Sequence, residues 1–154
     1  YGALAWLRTR DDVIKDRIAL QGWSNGAMAA LAILDHEAPG ISAPNPERGF
    51  RGALIFYPGC RVQLAKDYRP YAPALMFVAS NDEEVAPLPC NQLAERVKAR
   101  GVNDFEMVWY DGATHAFDDP GKRRQSVAGN RHALSDSMVR SEQFVQQRLR
   151  SSNQ

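Results

Sequence analysis

The 154-residue sequence predicts an α/β protein built on a parallel sheet. Three observations carry that expectation. Apolar runs at 52–57 (Gly-Ala-Leu-Ile-Phe-Tyr) and 74–79 (Ala-Leu-Met-Phe-Val-Ala) are continuous rather than alternating, as in strands covered on both faces, and a third apolar run follows at 105–110. Segments of helical periodicity separate them. Strand and helix therefore alternate, which gives right-handed crossovers and parallel strands. Chemistry in such sheets sits beyond the carboxyl ends of the strands, so the loops at 23–26, 58–62, 80–87 and 111–119 matter most.

Taken in order, residues 2–8 read as the end of an amphipathic helix and 17–23 as a short strand. Residues 25–36 are rich in small apolar side chains on every side, which predicts a buried helix. Three Pro, two Gly and an Asn make 38–51 a loop. After the strand at 52–57, Pro58-Gly59 stops the chain, and 60–71 is expected as a polar, basic loop. Residues 87–100 form a helix ended by Gly101. Residues 131–150 form a long last helix, with Leu134, Met138, Val139, Phe144, Val145 and Leu149 toward the core. Met28, Met76 and Met107 read as core filler too.

A composition of 44% apolar and 24% charged residues is that of an ordinary globular domain. The net charge of +1 argues against nucleic acid as a partner, and no apolar run is long enough to cross a membrane. No phosphate-binding loop, nucleotide fingerprint or metal-ligand spacing is present, so no cofactor and no metal is expected; His36 and His132 fit no ligand pattern.

Gly22-Trp23-Ser24-Asn25-Gly26 fits G-x-S-x-G between a strand and a helix. That turn projects the Ser24 hydroxyl above the sheet, and the glycines remove side chains where strand and helix backbones nearly touch. The backbone N–H of Asn25, at the helix start, is placed to donate to an oxyanion. The same residues also suit a plain turn with Ser24 as N-cap. Asp82 follows the strand at 74–79, where it either caps a turn or orients a histidine; Glu83 and Glu84 are expected in solvent. His115 follows the last strand, in reach of Ser24 as general base and then acid. The order Ser24, Asp82, His115 is the order found in α/β-hydrolases. Trp23 and Phe117 are candidate substrate walls with packing as the alternative, and Tyr57 shares the ambiguity. The basic stretches at 61–69 and 122–124 read as solvated.

The segments Arg17-Ile-Ala-Leu-Gln-Gly-Trp-Ser-Asn-Gly-Ala, Phe56-Tyr-Pro-Gly, Asn81-Asp-Glu-Glu-Val-Ala-Pro and Tyr110-Asp-Gly-Ala-Thr-His-Ala-Phe-Asp together resemble the dienelactone hydrolase family of α/β-hydrolases. The resemblance implies a three-layer α/β-hydrolase fold, of which this single domain is the C-terminal part. It implies hydrolysis of a carboxylic ester or lactone through an acyl-enzyme on Ser24. Founding members use a cysteine nucleophile and hold a substrate carboxylate with arginines, one shortly after the histidine. Ser24 stands here instead, and Asp118 and Asp119 fill that later stretch, which points to a broader small-molecule ester substrate. A peptidase or acyl-peptide hydrolase on the same fold, or a non-catalytic binding module, remains open.

The chain starts at Tyr1, inside what reads as a helix, and the family carries further strands before the nucleophile strand. The expectation is a fold lacking its N-terminal strands, whose nucleophile strand is left at an edge. A missing N-terminal half or a partner chain then completes the sheet and supplies the second oxyanion donor, and this piece alone hydrolyses poorly. Cys60 follows the strand ending at Tyr57 and Cys90 opens the helix after Asp82; those strands are expected as neighbours, which puts the two on one rim, within reach of a disulfide. A bridge fits a periplasmic or secreted protein, two reduced thiols a cytoplasmic one.

Overall fold

In the computed structural model, which describes residues 1–150, the elements run α1 (Gly2–Leu7), β1 (Leu20–Trp23), α2 (Asn25–Leu34), β2 (Ala53–Phe56), α3 (Arg61–Leu64), β3 (Ala74–Ala79), α4 (Leu88–Ala99), β4 (Phe105–Tyr110), α5 (Lys122–Gln125) and α6 (Ala128–Leu149). The four strands form one parallel sheet in the order β1-β2-β3-β4. Trp23 pairs with Phe56, Phe56 with Phe77, and Ala79 with Tyr110, so the carboxyl ends share one rim.

The side-chain alternation of a strand divides the core into two halves. Ile55 and Met76 face α2 and α4, packing with Leu31, Leu34, Leu93 and Val97. Leu54, Phe56, Leu75 and Phe77 face the other way, toward Ala133 and Phe144 of α6. Helix, sheet and helix thus make three layers. Both faces of β2 and β3 are covered, which is why every residue of those strands is buried and apolar. A small third cluster joins Leu4 of α1 to Ile18 and Phe50.

β1 lies at the sheet edge, with β2 on one side and no strand among the described residues on the other. That position explains the departures from the sequence-based reading. Met138 and Val139 of α6, expected in the core, are 65% and 53% exposed, because they stand beside the free edge of β1, where no described element covers them. Trp23 is 44% exposed for the same reason. Helix α2 is buried on one face only: Ala27, Ala30, Leu31 and Leu34 are buried while Ala29 and Ala32 are open to solvent. Met28 and Met107 are only half-buried. The 60–71 stretch is not a simple polar loop. It holds the turn of helix α3 and inserts Tyr68, fully buried, edge-on against Phe105.

Candidate active site

Ser24, Asp82 and His115 each follow the carboxyl end of a strand. Ser24 joins β1 to α2 with φ 49° and ψ −116°, a conformation rarely adopted by an L-residue. Its N–H still donates to the Phe56 carbonyl and its carbonyl accepts from Met28, so both neighbouring elements hold the strained residue in place. Gly22 permits the turn. A Cβ there would lie 2.5 Å from the Gly26 carbonyl carbon and 2.8 Å from the Ala27 nitrogen. Gly26 differs: a Cβ on it meets nothing within 4 Å, so close backbone approach does not explain that glycine. Asn25 is the first residue of α2, and its N–H has no acceptor within the helix.

His115 is nearly buried, and its two ring nitrogens have separate partners. Nδ1 lies 2.8 Å and 3.0 Å from the two oxygens of Asp82. Nε2 lies 3.0 Å from Ser24 Oγ. Asp82 Oδ1 also accepts the backbone N–H groups of Glu84 and Val85, both at 2.9 Å. The carboxylate therefore caps its own turn and orients the imidazole, so the two readings of Asp82 coexist. With acceptors on one side of the ring, the proton belongs on Nδ1, and Nε2 is left to accept from the serine hydroxyl. Ser24, Asp82 and His115, separated along the chain, are thus brought into one hydrogen-bonded line.

The loop carrying His115 is fastened from several sides. Glu83 Oε2 accepts the His115 backbone N–H at 2.9 Å, and Glu83 Oε1 pairs with Arg124. Desolvation acts to raise the Glu83 carboxyl, but the Arg124 hydrogen bond, with the His115 N–H, outweighs it and holds the group at about 2. Asn130, fully buried at the start of α6, accepts the Thr114 N–H at 2.8 Å and donates to Thr114 Oγ1 and the Arg124 carbonyl, both at 2.9 Å. The helix can come this close because Gly129 has no side chain; a Cβ there would stand 2.6 Å from the Ala113 nitrogen. Asp118 closes the other side. It accepts the Tyr57 hydroxyl at 2.7 Å and the Trp23 Nε1–H at 2.6 Å, tying the histidine loop to the end of β2 and to the residue before Ser24. Burial, then the hydrogen bond to Asp118, pushes the Tyr57 hydroxyl far above its ordinary range and keeps it a donor. Tyr57 and Ala116, both at positive φ, lie beside the histidine, and the Tyr57 ring stands edge-on to it at 4.7 Å.

Trp23 stacks on Phe56 at 5.6 Å and lines a cavity of about 630 Å³ with Phe56, Asp118, Leu134, Met138 and Val139. Phe117, by contrast, is fully buried against Tyr57 and Tyr110. It offers a substrate no surface, so its role is packing. Glu83 and Glu84 are exposed, as expected, yet both reach the histidine, and Arg124, expected in solvent, is partly buried against Glu83. Glu84 Oε2 lies 3.5 Å from His115 Nε2. Nothing in the local sequence marks them, because α5 reaches Glu83 only through the tertiary fold. Among the described residues, no group of three or more His, Cys, Asp or Glu is arranged to hold a metal ion.

A family model described as the dienelactone hydrolase family matches residues 2–149. The chain belongs to the dienelactone hydrolase family. Solved structures of the same fold include Thermogutta terrifontis esterase 2 phosphorylated by paraoxon, at 20% identity and TM-score 0.70, covering 95% of this chain and 60% of that one. The native form of that thermophilic esterase matches at 20% identity and TM-score 0.70, over 99% of this chain and 64% of that one. Its butyrate-bound form matches at 19% identity and TM-score 0.71, over 95% and 63%. The chain therefore spans about three-fifths of the length of these esterases. No curated protein matched the chain.

Cys60, after β2, and Cys90, in α4, are joined as a disulfide, with Cα atoms 5.0 Å apart. The bridge links the loop behind Tyr57 to the helix that follows the Asp82 turn. No described helix is long and apolar enough to cross a membrane.

Proposed function

We propose that this chain carries the nucleophile, general base and orienting acid of a serine hydrolase acting on carboxylic esters. One observation carries the reading: Ser24 Oγ, His115 and Asp82 stand in line at 3.0 Å and 2.8 Å. Family membership and the likeness to an esterase support it. His115 Nε2 takes the hydroxyl proton as Ser24 Oγ attacks the ester carbonyl. Asp82 stabilises the imidazolium that forms, and the Asn25 N–H donates to the oxyanion. The tetrahedral adduct collapses, His115 protonates the departing alcohol, and an acyl-enzyme remains on Ser24. Water, deprotonated by the same imidazole, then releases the acid.

The free edge of β1 and the apolar cavity beside Trp23, Met138 and Val139 suit a further strand and helix, from the same gene product or another chain. The second oxyanion donor comes from that addition in this reading. A buried disulfide further favours an oxidising compartment, periplasmic or extracellular.

The neighbouring esterase is described as phosphorylated by paraoxon, which suggests the probe. Incubation of the intact protein with a fluorophosphonate should add one phosphonyl group, located at Ser24 by peptide mass. Ser24→Ala should abolish labelling while far-UV circular dichroism stays unchanged. Asp82→Asn should slow ester turnover by about 10⁴. Labelling elsewhere, or none, overturns the assignment.

A further inference from the structure

We propose that Glu84 makes the site select esters by charge, taking those with a cationic acyl group over those with an anionic one. The inference rests on the hydrolase reading and deepens it to a substrate class. Glu84 Oε2 lies 3.5 Å from His115 Nε2, on the side of the ring that faces Ser24 rather than the side held by Asp82. It is the carboxylate nearest the reacting atoms that no other group occupies. Asp82 is filled by the imidazole and two backbone N–H donors, Glu83 by Arg124 and the His115 N–H, and Asp118 by Tyr57 and Trp23. Among the described residues Glu84 has no Lys or Arg ion-pair partner, and its side chain is 57% exposed.

Glu84 also borders a cavity of about 330 Å³, whose apolar wall is Met28, Val62 and Val85. Met28 donates its backbone N–H to the Ser24 carbonyl and Glu84 reaches His115 Nε2, so the cavity adjoins the triad, and the proposal seats the acyl chain there. A charge on that chain then sits within several ångströms of Glu84. Coulomb's law for about 6 Å, between water-like and surface-like dielectrics, gives a preference of roughly three- to a hundredfold for cation over neutral, with the reverse for an anion. Arg61 lines the same cavity, and Arg124, paired with Glu83, lies near enough to interact with Glu84; both cations oppose this preference.

The test compares two 4-nitrophenyl esters of equal acyl length, one ending in trimethylammonium and one in carboxylate, on the intact protein. The quantity read is the ratio of their kcat/KM values. Glu84→Gln keeps the size and removes the charge, and should lower the cation-to-anion ratio at least tenfold. Raising KCl to 0.5 M should compress the wild-type ratio, because the carboxylate is exposed to screening. Glu37→Gln, a carboxylate on the His36 side of α2, should leave the ratio unchanged. A ratio that Glu84→Gln moves by less than twofold, or one that Arg61→Gln moves while Glu84→Gln does not, overturns the inference. Loss of all Ser24-dependent turnover overturns the hydrolase reading instead, and the inference with it.

Discussion

Single alanine substitutions at Gly22 and Gly26 separate two residues that the G-x-S-x-G pattern treats alike. A Cβ on Gly22 falls 2.5 Å from the Gly26 carbonyl carbon and 2.8 Å from the Ala27 nitrogen, with the Gly26 oxygen closer still. These are backbone atoms at the start of α2, so no rotamer change relieves the overlap. The helix must retreat by close to an ångström, and α2 packs on β1 and β2 through Ala27, Ala30 and Leu31. Overpacking of this kind costs about 1–3 kcal/mol, and more where backbone must move. The retreat also drags Ser24 from its 3.0 Å contact with His115. Gly26 has open space and lies in the first turn of the helix, away from the positive-φ region. Alanine there should stabilise by ~0.4–1 kcal/mol, by restricting the unfolded chain. Urea unfolding followed by circular dichroism reads both effects, and fluorophosphonate labelling rate reads the displacement of Ser24. Gly22→Ala should lower the midpoint by about 0.5–2 M, given slopes of about 1–3 kcal/mol per molar, and slow labelling. Gly26→Ala should leave the midpoint level or higher. Equal losses for the two variants would refute the steric account of the elbow.

Removing the Cys60–Cys90 bridge by a double serine substitution opens a 30-residue separation and should cost ~3.6 kcal/mol by loop entropy, seen as a lower urea midpoint matched by reduced wild type. Asn130→Ala deletes the hydrogen bonds to Thr114 and the Arg124 carbonyl at a fully buried position and strands the Thr114 N–H; a loss of about 2–4 kcal/mol is expected, with faster hydrogen exchange confined to the histidine loop. Glu83 has its carboxyl depressed from 4.5 to about 2, so the stability it contributes is whole above about pH 4.5 and fades as pH falls toward 2. The gap in urea midpoint between wild type and Glu83→Gln should therefore be flat above pH 5 and close toward pH 2; a gap that widens on acidification contradicts the assigned pairing.

Most of the fold is legible in the sequence because its signals are local. β2 and β3 announce themselves as unbroken apolar runs, and burial on both faces of the sheet is the reason. Ser24 and His115 are found from the turn and loop chemistry that follows two strands, and Asp82 from its place at a third strand end. What escapes the sequence depends on which surfaces meet. Arg124 looks like one member of an exposed basic run until α5 delivers it to Glu83. Met138 and Val139 obey core periodicity, yet the edge position of β1 leaves them uncovered. Phe117 carries an aromatic ring two residues from the histidine, and only the packing of Tyr57 and Tyr110 shows that it points inward. The two elbow glycines are identical in the pattern and differ only in what surrounds them.

Asp82, Glu83 and Glu84 approach His115 at Nδ1, at the backbone N–H and at Nε2. Three neighbours in sequence thus address one residue from three directions, with no spacer between them. Substitutions can be made here one at a time, but an inserted or deleted residue within this turn shifts every assignment together. Length variation that surface turns usually accept is therefore closed to this one, and grafting it into another scaffold means moving the triplet whole.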